Sequence, residues 1–178
     1  VPIKNHNLFM DVIKYCINRS KKKIKALVVG DGSETEELLK YTNELGLSYS
    51  YKDFDKNCDV LFTSWQSEID CILAATDILC LTSLNEGTPV SIIEALASET
   101  ASISTDVGGV SDIMKNNVSG IVSSKKIYDY GENLLKMIND DDFRNNLAKN
   151  GKIRIVKKYH YSKLVFNTES LYQKIIQN

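Results

Sequence analysis

Two carboxylates, Glu86 and Glu94, stand eight positions apart across Gly87-Thr88-Pro89, with a short apolar stretch between them. Thr88 is placed to cap a helix, and Pro89 suits its first position. The N–H groups of Val90 and Ser91 are then helix-start donors without an intrahelical acceptor. Together with the positive end of the helix dipole they suit a phosphate. Glu86 lies just before that start, where a carboxylate also serves as an ordinary first-turn anion. Glu94 has Val90, Ser91, Ala97 and Ser98 at its three- and four-residue spacings, and none is a cation. It therefore either faces water or reaches a polar ligand. Its two acceptor oxygens fit vicinal hydroxyls, as the ribose-binding acid of dinucleotide sites does. One helical turn, about 5.4 Å, would separate a phosphate at the helix start from a ribose at Glu94.

Two glycine turns accompany the acids. Gly30-Asp31-Gly32 follows the apolar run Ala26–Val29 and precedes a helical pattern. It reads as a tight strand-to-helix turn or as a place where backbone approaches a phosphate or base. Thr35 stands where a dinucleotide fingerprint needs its third glycine, and no Walker lysine follows. Asp106-Val107-Gly108-Gly109 is either a plain connection or a turn whose amides face a ligand oxygen.

Other chemistry is thinly supplied. The four cysteines (Cys16, Cys58, Cys71 and Cys80) form no CxxC, and His6 and His160 lie far apart, so no metal site is expected. Asp140-Asp141-Asp142 reads as a helix cap. With 22 basic and 23 acidic residues the net charge is −1, against a nucleic-acid module. No apolar run is long enough to span a membrane. Reduced thiols and no leader sequence point to the cytoplasm. The 178 residues suffice for one domain, and the abrupt opening Val1-Pro2-Ile3-Lys4 reads as a domain cut from a longer protein.

The elements that must position these groups are legible from periodicity. Leu8, Val12, Ile13, Cys16 and Ile17 mark a helix over Asn7 to about Arg19. Strands are expected at Ala26–Val29, Ser48–Tyr51, Val60–Thr63, Ile78–Leu81, Ser102–Thr105 and Ile121–Val122. Asp53–Asp59 reads as a polar loop. Ser67 is expected to cap a helix that turns Ile69, Ile72 and Leu73 inward. Further helices run from about Glu34 to Leu45, from Pro89 to Ser98, and near Val110–Lys115. The tail, Lys126–Asn139, Asp141–Lys158 and Ser162–Gln177, is helical. There Phe143, Leu147, Ile153 and Val156 form one expected packing stripe, and Leu164, Leu171 and Ile175 another. Strands alternating with helices imply an α/β fold, a doubly wound, Rossmann-like parallel sheet with a helical C-terminal tail. Such sheets bind ligands at the carboxyl ends of their strands, where both glycine turns and the Glu86 loop fall.

Five ordered motifs resemble one family. Pro2-Ile3-Lys4-Asn5-His6, Val28-Val29-Gly30-Asp31-Gly32, Ala74-Ala75-Thr76-Asp77-Ile78, Thr105-Asp106-Val107-Gly108-Gly109 and Ser119-Gly120-Ile121-Val122 flank Glu86-Gly87-Thr88-Pro89 and Glu94-Ala95-Leu96-Ala97. The set is similar to the family-4-type retaining glycosyltransferases of the GT-B fold, over nearly the whole chain. The resemblance implies that residues 1–178 are the C-terminal, donor-binding domain, and that an N-terminal acceptor domain is missing. It implies a nucleotide-diphosphate sugar as donor substrate and no metal or other cofactor. Lys4 would neutralise the diphosphate, and Glu86 would contact the transferred sugar. The amides after Gly87 (Thr88, Val90 and Ser91) would hold phosphate, and Glu94 the ribose. The turn at Gly30 and Gly32 and the loop at Trp65 would approach the base, and Gly108 and Gly109 complete the site. The acceptor would be a surface glycan or lipid-linked sugar, with peripheral membrane association through the missing half. The isolated domain is expected to be inactive. A GT-B sugar-nucleotide epimerase and a non-catalytic flavodoxin-like binding module are the alternatives. The family's usual Gly and Pro after the Glu94 helix are replaced in Ser98-Glu99-Thr100-Ala101, which should alter that turn.

Overall fold

The computed structural model describes residues 2–53, 55 and 57–177. Phe54 and Lys56, inside the expected Asp53–Asp59 loop, lie outside the described residues, as do Val1 and Asn178.

A 3-10 turn, Pro2–Lys4, leads into α1 (His6–Ile17), which buries Leu8, Met10, Val12, Ile13 and Cys16. Strand β1 (Ala26–Val28), helix α2 (Thr35–Glu44), and strands β2 (Tyr49–Tyr51) and β3 (Val60–Phe62) follow. Next come α3 (Ile69–Ala74), β4 (Ile78–Leu81), α4 (Val90–Ala97), β5 (Ala101–Thr105), α5 (Val110–Ile113) and β6 (Ile121–Ser123). Three helices close the chain: α6 (Ile127–Asn139), α7 (Asp141–Tyr159) and α8 (Tyr161–Ile176). Every expected strand is present, and the named strands all pair in parallel.

The expected parallel, doubly wound arrangement is present, laid out as two three-stranded ladders ordered β1-β3-β2 and β4-β5-β6. One apolar core nevertheless spans both. Ala26, Val60 and Phe62 of the first ladder share it with Ala101, Ile103 and Ile121 of the second, and α1 and α6 pack across them. Helices therefore do the joining that backbone hydrogen bonds do elsewhere. Burial of this apolar surface is the main favourable term in folding.

Caps depart from expectation at two helices. Glu68, not Ser67, holds the N-cap position of α3, and Pro89, not Thr88, that of α4. Neither helix start receives a side-chain cap bond. Asp140 does cap α7, its carboxylate accepting from the Phe143 N–H at 2.9 Å.

The packing face of α7 also differs. Ile153 and Val156 are exposed, and the helix instead buries Leu147, Ala148, Gly151 and Ile155. A Cβ added at Gly151 would lie 2.5 Å from Leu96 Cδ2 and 3.1 Å from the Ser119 carbonyl. The helix meets α4 through its small residues, which a count of large apolar side chains overlooks. The expected α8 stripe is likewise uncovered: Leu164, Leu171 and Ile175 are all exposed.

After α4, Glu99 adopts φ +61°, at the position where the related pattern has glycine. A glutamate therefore holds a left-handed backbone at this turn. Its carboxylate pairs with Lys152 at 3.0 Å, tying the turn to α7.

Candidate active site

The Glu86 loop begins where β4 ends, and three neighbouring segments hold it. Thr82 Oγ1 donates to the carbonyls of Lys4 and Asn5, both at 3.1 Å, and the Leu84 N–H to the Ile3 carbonyl at 2.8 Å. These bonds dock the chain start onto the end of β4. Asn5 takes a left-handed backbone, φ +51°, to turn the chain from there into α1. From β5, buried Thr105 donates to the Ser83 carbonyl at 2.6 Å.

Docking the chain start brings Lys4 to Glu86, 82 positions away: Nζ donates to Oε1 at 2.7 Å. The Ser83 hydroxyl donates to the same oxygen at 2.6 Å. The Glu86 side chain is only 11% exposed and that of Lys4 41%, so a part-buried carboxylate meets a cation that still reaches solvent. Charge-assisted bonds of this length are stronger than neutral ones.

The Gly108-Gly109 turn presses directly on the same loop. A Cβ at Gly108 would lie 1.6 Å from the Glu86 carbonyl oxygen, and one at Gly109 2.3 Å from that of Gly87. Gly108 also has φ +47°, the left-handed region that glycine occupies without strain. The Gly109 N–H donates to the carbonyls of Gly87 at 3.0 Å and Glu86 at 3.3 Å. This corrects the reading of Gly109 as an amide facing a ligand: its N–H is spent within the protein. The paired glycines let two backbones touch.

At α4 the first intrahelical donors are Ile92 and Ile93, both to the Pro89 carbonyl. The N–H groups of Val90 and Ser91 come before that ladder, as expected of a helix start. Glu94 is exposed, and no side-chain partner for it exists among the described residues.

On the first ladder, Gly30 has φ +118° and donates to the Ser64 carbonyl at 3.0 Å. Asp31 Oδ1 accepts from the Gly32 N–H at 2.8 Å and Thr35 Oγ1 at 3.0 Å; Oδ2 accepts from Ser64 Oγ at 2.9 Å. Those bonds, Ser64's first, hold the Asp31 carboxyl below the usual carboxylate range. Trp65 follows at once and is 79% exposed, so its ring is available to a flat ligand. The Gly30 turn, the Trp65 loop, the Glu86 loop and the Gly108 turn thus all lie at carboxyl ends of strands. A hollow of about 160 Å³ lies between Pro2, Asn5 and His6 and the start of α2 at Glu34, Glu37 and Leu38. Burial, the largest cause, holds the His6 imidazole below its usual pKa.

Two features escaped the sequence reading. Ser83 carried no signal by itself; its offset of three residues from Glu86 gains meaning only in this loop. The Lys4–Glu86 pair could be reached only by placing both residues in one site. Burial pushes the thiols of Cys16 and Cys80 up to about 12, removing them as nucleophiles. Among the described residues no metal-ligating cluster occurs, and no helix is long and apolar enough to cross a membrane.

The family model described as "Glycosyl transferases group 1" matches residues 1–154. The chain is 30% identical over 179 aligned positions to the UDP-Gal:alpha-D-GlcNAc-diphosphoundecaprenol alpha-1,3-galactosyltransferase of Escherichia coli, covering 99% of this chain and 44% of that protein. It is 28% identical to the GalNAc-alpha-(1->4)-GalNAc-alpha-(1->3)-diNAcBac-PP-undecaprenol alpha-1,4-N-acetyl-D-galactosaminyltransferase of Campylobacter jejuni, over 85% of this chain and 40% of that one. Among solved structures, Anabaena HepE in complex with UDP and glucose superposes with TM-score 0.82 at 19% identity, over 100% of this chain and 46% of that one. S. aureus TarM, solved with UDP among its ligands, gives TM-score 0.83 at 20% identity, over 97% of this chain and 33% of that one. The chain therefore spans about half the length, or less, of the relatives it matches.

Proposed function

The chain belongs to the group 1 glycosyl transferases, and from that premise we propose that it is the donor-binding half of a retaining, family-4-type transferase. The observation that carries this reading is the meeting of Lys4 and Glu86 at 2.7 Å, directly before the helix start of Val90 and Ser91. A cation and a part-buried carboxylate then meet just ahead of the helix-start amides of Val90 and Ser91.

In this reading the diphosphate of a nucleotide sugar lies between the Lys4 ammonium and the start of α4. Negative charge grows on that diphosphate as the sugar–phosphate bond breaks, and both groups oppose it where it develops. The ammonium supplies the charge that a metal ion provides in other transferases, so no cofactor is required. Glu86 accepts from a hydroxyl of the transferred sugar, and Glu94, which faces no protein partner among the described residues, accepts from the ribose. The Gly30–Gly32 turn and Trp65 flank the base. Acceptor binding belongs to a further N-terminal domain, so residues 1–178 alone hold a donor without transferring it. Relatives named for diphosphoundecaprenol-linked acceptors support a lipid-linked sugar or growing surface glycan as acceptor, with the whole protein at the cytoplasmic face of a membrane.

A thermal-shift panel of UDP, GDP, ADP and their sugar conjugates tests the proposal. One base should raise Tm by about 5–10 °C at a hundred times its Kd. Glu94→Ala should remove most of that shift while leaving the unliganded Tm close to wild type. No shift with any of the six would overturn donor binding.

A further inference from the structure

We infer that Ser83 is a positioning residue for Glu86, holding its carboxylate in one orientation so that Oε2 is presented to a hydroxyl of the transferred sugar. The inference rests on the donor-binding reading above.

Both protein bonds to this carboxylate fall on one oxygen. Oε1 accepts from Lys4 Nζ at 2.7 Å and from Ser83 Oγ at 2.6 Å. No donor to Oε2 exists among the described residues. An ionised carboxylate accepts about four hydrogen bonds. Saturating one oxygen from the protein side leaves the other to the ligand side.

The two donors are not equivalent. Lys4 sits on a flexible four-carbon stem, is 41% exposed, and is the group expected to turn to the diphosphate. Ser83 is fully buried, and its own carbonyl is held by Thr105 Oγ1 at 2.6 Å. Its hydroxyl has one proton to donate, and Glu86 receives it. When the ammonium turns toward incoming phosphate, Ser83 remains as the bond that stops the carboxylate from rotating away. Precise orientation of a ligand-contacting group by a buried neighbour is the ordinary role of such a support.

Calorimetry on the 178-residue chain separates this from a merely structural role. The readout is the affinity for each nucleotide sugar of the panel against that for its nucleoside diphosphate. Ser83→Ala should weaken the nucleotide sugar by roughly 10- to 150-fold, the range for losing a bond to a charged acceptor. Binding of the nucleoside diphosphate should stay within about twofold of wild type, since Lys4 and the α4 start hold it. Ser83→Cys, a weaker donor, should fall between, and it carries the test if the alanine variant does not fold. Added to Glu86→Gln, Ser83→Ala should cost little more. Equal losses on both ligands, or no loss on the nucleotide sugar, would overturn the positioning role while leaving donor binding intact. Failure of the wild-type chain to bind any nucleotide would overturn the donor-binding reading and this inference with it.

Discussion

At the scale of single residues, the site is a set of polar groups with uneven freedom. Glu86 is bound by two donors, whereas Glu94 faces solvent with no described partner. The two acids look alike in sequence and differ only in surroundings. Asp31 shows how a turn can titrate. Its carboxylate is held below its ordinary pKa, first by Ser64 and then by the Gly32 amide and Thr35. An unfolded aspartate, with a pKa near about 3.9, binds its proton at higher pH than the folded one does. The stabilisation is therefore complete above about pH 4 and lost as pH falls through the lower, native value. Melting curves from pH 7 to pH 3 should show Asp31→Asn less stable than wild type at neutral pH, the gap narrowing below about pH 4. A gap that stays constant with pH would mean that the charge contributes nothing.

At the scale of elements, the decisive contact is between two loops. The turns at residues 86–88 and 107–109 touch through backbone, and the two glycines are there because a Cβ has no space. Gly109 isolates the steric part of this, since its φ of −77° suits any residue. Gly109→Ala should cost about 1–3 kcal/mol in urea unfolding, as overpacking does, and should weaken nucleotide binding by displacing the Glu86 loop. An alanine variant as stable as wild type would show that the loops yield easily. Much at this scale could be read from the sequence. Strands such as Val60–Phe62 and Ala101–Thr105 are short β-rich runs between turn residues, and local composition suffices to mark them. The α7 face could not be read that way. Its contact surface is built from Ala148 and Gly151, and small side chains carry little hydrophobic signal while permitting the closest approach.

At the scale of the whole molecule, stability is unevenly spread. The core runs from α1 through both ladders to α6 and Leu147 and Ala148 of α7. Beyond Tyr159 it ends: α8 buries no residue, and Leu164, Phe166 and Ile176 are each at least 66% exposed. A helix of 16 residues without a packed face gains little from propensity alone. A chain ending at Tyr159 should therefore melt within about 4 °C of the full chain, by calorimetry. A larger fall would show that α8 supports the core despite its exposure.

The sequence by itself determined the α/β alternation, the glycine turns at strand ends, the acid pair and the family resemblance. Each depends on residue type and short-range spacing, which backbone geometry converts directly into local structure. Tertiary structure alone decided that Lys4 reaches Glu86, that Ser83 holds the same oxygen, and that Gly109 spends its amide on the Glu86 loop. It also decided that two ladders share one core. These contacts join segments 22 to 82 positions apart, Ser83's short reach to Glu86 excepted. Their distances follow from how sheets, helices and loops pack, and no local pattern encodes that.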